Sequence, residues 1–382
     1  MSSESLSPRP GRVVHWAKFY PPEMGGMESV AVSLARGAAQ AGWQVEVVCF
    51  AKVHLPSGPD GQGVQVWRAP VRWAPASQPL SLRYLWQAWR RGRQADVVHL
   101  HVPNMLAALA ALALPRRTRV LVHWHSDVVG KGLLGRVLAP LERALLRRAD
   151  RVVATSQAYA DGSPSLRGIG HRLRVVPIGV PEPAVEAGAL DPAVQAWLGP
   201  RRLVLAVGRL VPYKGFATLM DAAAALPSDA AVVIVGGGPL HDELSQRIAA
   251  AGLGQRVLLA GRQGDAELAA LLRRAALFCL PSVERSEAFG VVLVEAMTHG
   301  LPIVATRIPG SGVPWVNADG ESGLNVPPGD AQALAQACTR LLTDEPLRAA
   351  LAQGARRRYE AVFTEAASVQ AMLAVYADAL RR

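Results

Sequence analysis

Cysteine is scarce: the chain has three among 382 residues, Cys49, Cys279 and Cys338, each inside an apolar run. Their odd number and wide spacing argue against a disulfide framework or a cysteine metal cluster, and a reduced setting with the thiols as small core residues is expected. Long apolar runs are missing too: the stretch from Met105 to Leu114 is too short to span a bilayer. The polar start, Ser2-Ser-Glu-Ser5, has no apolar signal-peptide core. These absences predict a cytoplasmic protein. Acidic residues are in deficit, 30 against 41 basic ones, for a formal net charge of +11. That balance favours anionic partners, whether nucleic acid, an acidic lipid surface or a phosphorylated small molecule, and it also fits compositional drift in a chain rich in Ala, Gly and Pro. No aromatic-basic signature of an RNA module is present, so nucleic acid is not an expected partner. No histidine, cysteine and carboxylate spacing assembles a metal site, and no metal is expected.

What is abundant is alternation. Short β-like runs at Arg12–Trp16, Val45–Phe50, Val64–Arg68, Val97–His101, Arg119–His125 and Arg151–Thr155 are separated mostly by helical stretches, among them Glu28–Gly42. A second series follows, with strands expected at Leu203–Gly208, Ala231–Gly236, Val257–Gly261, Leu277–Leu280 and Pro302–Thr306. Such alternation predicts parallel sheets covered by helices on both faces. The Pro- and Gly-rich region Pro177–Pro200 is the expected hinge. The reading is an α/β chain of two tandem Rossmann-like, doubly wound domains facing a cleft, residues 1–187 and 188–364. A final helix, 365–382, would pack back on the first domain. The crevice at the strand ends is the default ligand site.

Several strand-to-helix turns carry chemistry. Gly208-Arg-Leu-Val-Pro-Tyr-Lys-Gly215 brings Arg209 and Lys214 across a tight turn, where both can meet one anion beside a helix start; an ordinary solvated loop would read the same. Val235-Gly-Gly-Gly-Pro-Leu240 lets a ligand approach the backbone, but Pro239 and Leu240 break the dinucleotide fingerprint and a plain turn fits as well. In Glu287-Ala-Phe-Gly-Val-Val-Leu-Val-Glu295 two carboxylates suit sugar and ribose hydroxyls. A helix is expected over 287–299, with Glu287 in the loop before it if one leads in, and Glu295 about two turns along. Glu295, next to the apolar run Val291–Val294, needs a partner. Glu287 as a helix cap and Glu295 as a structural residue is the competing reading. Pro21-Pro-Glu-Met-Gly-Gly26 is another loop suited to phosphate, or a tight turn. His123-Trp-His-Ser-Asp127 ends a strand, where His125 can meet a sugar hydroxyl or an anionic oxygen; His99 and His101 are read as structural.

These segments, in this order, resemble the family 4 retaining glycosyltransferases of the GT-B architecture over nearly the whole chain. The most specific stretch is the E-x7-E segment Glu287–Glu295 with Ala296-Met-Thr-His-Gly-Leu-Pro-Ile-Val-Ala305 after it. The resemblance implies that Arg209 and Lys214 bind the donor diphosphate and stabilise the leaving group. It implies that Glu287 holds hydroxyls of the donor sugar and Glu295 the ribose. The backbone at Phe289, Gly290 and Val291 would approach the sugar and phosphate, and Gly237 would join the donor contacts. Gly26 would let the first-domain loop meet the diphosphate, His125 would contact the transferred sugar, and Arg262 would lie near the base. Implied too are a GDP- or UDP-linked hexose donor, no cofactor or metal, and a glycan or lipid-linked acceptor in bacterial cell-surface polysaccharide synthesis. Two basic-apolar stretches, Arg83–Arg93 and Lys131–Arg151, suit either an anionic membrane surface or ordinary packing on the sheet. An epimerase of the same fold and a non-catalytic nucleotide-sugar-binding partner in a polysaccharide assembly complex are the alternatives.

Overall fold

A computed structural model describes residues 10–53, 55–71, 73–74, 78–127, 132–183 and 188–381, with the side chains of 132–137 outside that set. The polar start of the chain and Lys131 therefore lie outside the described residues. The chain divides into two compact units, one running to Gly179 and including Glu365–Arg382, the other Val180–Thr364. The expected boundary at 187/188 adjoins residues 184–187, which are outside the described set.

The first unit holds β1 (Arg12–Trp16), β2 (Gln44–Ala51), β3 (Gly58–Pro59), β4 (Val64–Pro70), β5 (Val97–Val102), β6 (Arg119–Trp124), β7 (Arg151–Ala154) and β8 (Leu173–Val175). They form one sheet in the order β3-β4-β2-β1-β5-β6-β7-β8, parallel except for the β3–β4 pair. Strand order reverses between β1 and β5, so the topological switch point lies there. The central strands are buried along their whole length, as an all-parallel arrangement covered on both faces requires. The helix Glu365–Leu380 belongs to this unit and packs on the helix Gly26–Gln40. Gly37 permits the close approach: a Cβ there would lie 2.4 Å from a Val369 methyl. Asp378, near the end of the returning helix, accepts hydrogen bonds from Arg151 (2.7 Å) and Arg174 (2.6 Å), fastening it to the β7–β8 edge.

The second unit holds β9 (Arg202–Val207), β10 (Ala230–Val235), β11 (Val257–Gly261), β12 (Ala275–Leu280), β13 (Ile303–Thr306) and β14 (Gly323–Val326). All pairs are parallel, in the order β11-β10-β9-β12-β13-β14, and the switch point lies between β9 and β12. The core runs through β9, β10 and the helices Phe216–Ala223 and Ala331–Thr343, with Cys279 and Cys338 inside it. All three cysteines are free and buried.

The helix expected over 287–299 is shorter, Val291–Thr298, because Gly290 adopts the left-handed conformation (φ +80°) that stops a helix extending backwards. Glu287 therefore stands in the preceding loop. Glu295 sits little more than one turn in, not two.

Candidate active site

In the second unit the segments after β9 and β12 meet at the switch point. Val283 N–H donates to the Tyr213 carbonyl at 2.8 Å. Gly215 has φ +68°, and a Cβ there would stand 2.0 Å from the Pro281 carbonyl oxygen, so only glycine fits this approach. The turn buries Lys214 and aims it at the neighbouring loop: Lys214 Nζ lies 2.6 Å from Glu287 Oε2, with side chains 9% and 10% exposed. Ser282 Oγ donates to the same carboxylate oxygen at 2.9 Å. Ser311 holds the Glu287 carbonyl through its hydroxyl, and Thr306 holds that of Ser282. Glu287 is thus fixed through both its carboxylate and its backbone.

The structure brings Lys214 to Glu287 and leaves Arg209 exposed, its guanidinium without a hydrogen bond or ion pair among the described residues. All three act electrostatically on Tyr213, whose pKa is raised chiefly by burial, so the four side chains share one neighbourhood. Glu295 keeps some exposure, yet the protein packed around its carboxyl raises its pKa; Lys214 opposes that shift and Asp265 adds to it. Glu295 therefore lies within the field of Lys214. Phe289 is buried with its ring against Trp315 (6.3 Å) and Phe363 (6.0 Å), which leaves its backbone, with Gly290 and Val291, at the helix start. Arg285, two residues before Glu287, donates to the Gly310 carbonyl at 2.8 Å.

The glycine turn after β10 folds tightly onto the β9 turn. A Cβ on Gly236 (φ +142°) would lie 1.9 Å from the Gly208 oxygen, and one on Gly238 2.4 Å from the Leu210 oxygen. Gly237 faces the exposed Arg262, whose Nε would be 3.1 Å from a Cβ there.

In the first unit Gly26 is the exposed first residue of its helix, and Gly25 caps it without a side chain. Burial raises the pKa of Glu28 in that first turn, with Lys18 and Lys52 opposing. His125 follows β6 and is partly buried. Behind it lies a feature the sequence reading missed. His15, His99, His101 and His123 are buried on adjacent strands, with His15 level with His99 and His101 level with His123. They hydrogen-bond to one another, to His125 and to Tyr376 of the returning helix. Burial pushes His15 and His125 down to about 3 and holds the other three rings well below the usual histidine range, so all five are neutral at pH 7. The signal was present: His99-Leu-His101 and His123-Trp-His125 place each pair on one face of a strand. The nitrogens of His15, His99 and His101, and those of His101, His123 and His125, lie within 4.8 Å of one another.

The family profile described as glycosyl transferases group 1 matches residues 190–358, and that described as glycosyl transferase 4-like domain matches residues 25–179. The D-rhamnosyltransferase WbpZ of Pseudomonas aeruginosa is 35% identical over 364 residues, covering 92% of each chain. The O-antigen chain mannosyltransferase C of Escherichia coli is 31% identical over 373 residues, 97% of this chain and 99% of that one. Among solved structures, Anabaena HepE in complex with UDP-glucose superposes with a TM-score of 0.76 at 21% identity, over 95% of this chain and 98% of that one, a likeness of fold.

Proposed function

We propose a donor, a mechanism and an acceptor for a chain that belongs to the group 1 glycosyl transferases and shares their GT-B architecture. The donor is a GDP- or UDP-linked hexose-type sugar, transferred with retention and without a metal to a glycan or lipid-linked acceptor in bacterial cell-surface polysaccharide synthesis. The relatives named for rhamnosyl and mannosyl transfer, and the neighbour bound to UDP-glucose, support this reading.

The observation that carries it is the buried Lys214–Glu287 pair at the switch point of the second sheet. An ammonium has three donors, and Glu287 does not exhaust them; the second carboxylate oxygen of Glu287 keeps its lone pairs. The pair therefore offers a cation to the diphosphate and an acceptor to sugar hydroxyls, both fixed before the donor arrives. Arg209, exposed and unpaired among the described residues, supplies the second charge. The glycines at 236–238 expose backbone beside Arg262 for the nucleotide, and Glu295 holds the ribose.

In the reaction the bond between the anomeric carbon and the leaving phosphate oxygen breaks, and charge develops on the diphosphate. Lys214 and Arg209 stabilise it. The acceptor hydroxyl forms the new bond on the face the phosphate leaves, and its proton passes to the departing phosphate oxygen. His125 contacts the transferred sugar, and Gly26 admits the diphosphate to the first-unit loop.

The protein acts at the cytoplasmic face of a membrane. On the helix Leu82–Gly92, Tyr84, Gln87 and Ala88 are buried, while Leu82, Trp86, Trp89, Arg83 and Arg90 are exposed, an arrangement suited to anionic lipid. None of the described helices is long and apolar enough to cross a membrane.

The test is thermal stabilisation across GDP-, UDP- and ADP-sugars, followed by transfer with the best donor in the presence of EDTA. Transfer that requires the acceptor and survives EDTA supports the reading. Conversion of donor without acceptor would establish an epimerase instead, and absence of stabilisation by every donor would defeat the proposal.

A further inference from the structure

The five histidines and Tyr376 form a single unbranched line of hydrogen bonds. It runs His123 Nδ1 to His99 Nε2 (3.2 Å), His99 Nδ1 to Tyr376 Oη (2.7 Å), Tyr376 Oη to His15 Nε2 (3.2 Å), His15 Nδ1 to His101 Nε2 (3.2 Å) and His101 Nδ1 to His125 Nε2 (2.9 Å). At one end His123 Nε2 is buried without a partner. At the other, His125 Nδ1 has no hydrogen-bond partner among the described residues.

A neutral imidazole carries one N–H and one lone pair, and a phenol carries one hydrogen. Each of the five contacts needs one hydrogen, no more and no less. If one ring turned its N–H against the direction of its neighbours, one contact would hold two hydrogens or none. Only two arrangements satisfy the whole line: all five rings protonated on Nδ1, or all five on Nε2. The choice at any ring fixes the tautomer at every other, because what one nitrogen bonds decides the state of the other.

Tyr376 chooses between the two. Its 2.7 Å contact with His99 has the length of an O–H donor, and its 3.2 Å contact with His15 fits a longer N–H donor. The phenol thus donates to His99 and accepts from His15, which selects Nε2–H throughout. Either arrangement leaves His123 Nε2 unpartnered, as an N–H in the chosen one and as a lone pair in the other, and the choice rests on the two Tyr376 contacts. At His101, His123 and His125 a metal does not explain the arrangement as it stands. The His123 and His125 rings stack 4.2 Å apart at 16°, so their in-plane lone pairs run side by side and do not converge on one ion.

We propose that this ladder fixes His125 as the Nε2–H tautomer, so that Nδ1 accepts a hydrogen bond from a hydroxyl of the transferred sugar. His15, His99, His101, His123 and Tyr376 are positioning residues that act through His125. The catalytic consequence rests on the proposed sugar contact of His125; the tautomer pattern does not.

The test is long-range proton–nitrogen NMR of the full chain labelled with 15N-histidine at pH 7, on wild type and Tyr376→Phe. In the wild type all five rings should be neutral and protonated on Nε2. Tyr376→Phe should split the line, turn His125 into a mixture of tautomers although two histidines separate it from the substitution, and lower kcat several-fold with the fold intact by circular dichroism. A mixed set of tautomers in the wild type, nitrogens bound to stoichiometric zinc, or an unchanged His125 in a folded Tyr376→Phe protein would each overturn the ladder. The wild-type spectrum decides even if the variant does not fold. Correct tautomers in a protein that transfers no sugar would sink the transferase reading alone.

Discussion

At the switch point of the first sheet, neutral imidazoles and a phenol are buried together; at that of the second, a lysine and a glutamate are buried as an ion pair. The same parallel plan thus encloses polar groups in two ways. The neutral ladder answers to protons, because burial opposes charging any ring. In the ion pair the two charges are already present and held in place by each other. The difference separates a unit whose stability follows pH from a unit that holds a fixed buried charge pair, the one proposed above to meet a diphosphate.

Acid should break this comparison most visibly. The folded pKa of His15 is lowered from 6.5 to about 3, and those of His99, His101 and His123 lie well below 6.5. The unfolded chain then binds more protons, so this stability is fully present above pH 6.5 and is lost as pH falls toward the folded values. At the steepest, one ring that is neutral folded and charged unfolded removes about 1.4 kcal/mol per pH unit, and the ladder holds several such rings. Hydrogen exchange followed by mass spectrometry from pH 7 to pH 5 should show peptides of the first unit deprotecting well before those of the second. Equal deprotection would contradict the contrast.

The ion pair supplies the next effect. Lys214→Met leaves the Glu287 carboxylate buried with Ser282 alone and should destabilise the second unit by about 3–5 kcal/mol in urea unfolding. The double variant Lys214→Met/Glu287→Gln should recover most of that loss, since neither charge remains. Glycine turns come third. Gly215→Ala puts a methyl against the Pro281 carbonyl at a positive φ and should cost about 2–3 kcal/mol. Gly37→Ala in the first unit meets first the Val369 side chain, not backbone, and should cost about 1 kcal/mol. An effect of the same order belongs to Asp378→Asn, which removes the carboxylate from the buried Arg151; with Asp378 about a third exposed (32%), solvent screening limits the loss to about 1 kcal/mol. Arg151 and Arg174 hold the Asp378 pKa below its usual value, so this contribution is present at neutral pH and is lost as pH falls through the acid range.

The turns at Gly208–Gly215 and Gly236–Gly238 and the loop bearing Glu287 were legible because their cues are local: a strand, then glycines or charges, then a helix. The Lys214–Glu287 contact was not, since it exists only because β9 and β12 are neighbours in the sheet. The start of the helix at Val291 was missed because an apolar run hides the left-handed conformation of Gly290. The ladder was half legible. The His-x-His pairs announced a shared face, but His15 and Tyr376 are joined to them only when β1 and the returning helix come together. Arg209 and Lys214 were expected to converge, and the preference of Lys214 for a buried carboxylate is what the spacing did not encode.

The most direct test of the donor reading is calorimetric titration of GDP and UDP into the wild type and the Lys214→Ala variant, with EDTA present. The account predicts binding of at least one diphosphate by the wild type and at least a tenfold loss of affinity in the variant, from removal of a buried charge-assisted contact of about 1.5–3 kcal/mol. Equal affinity in the two proteins, or binding abolished by EDTA, would contradict it.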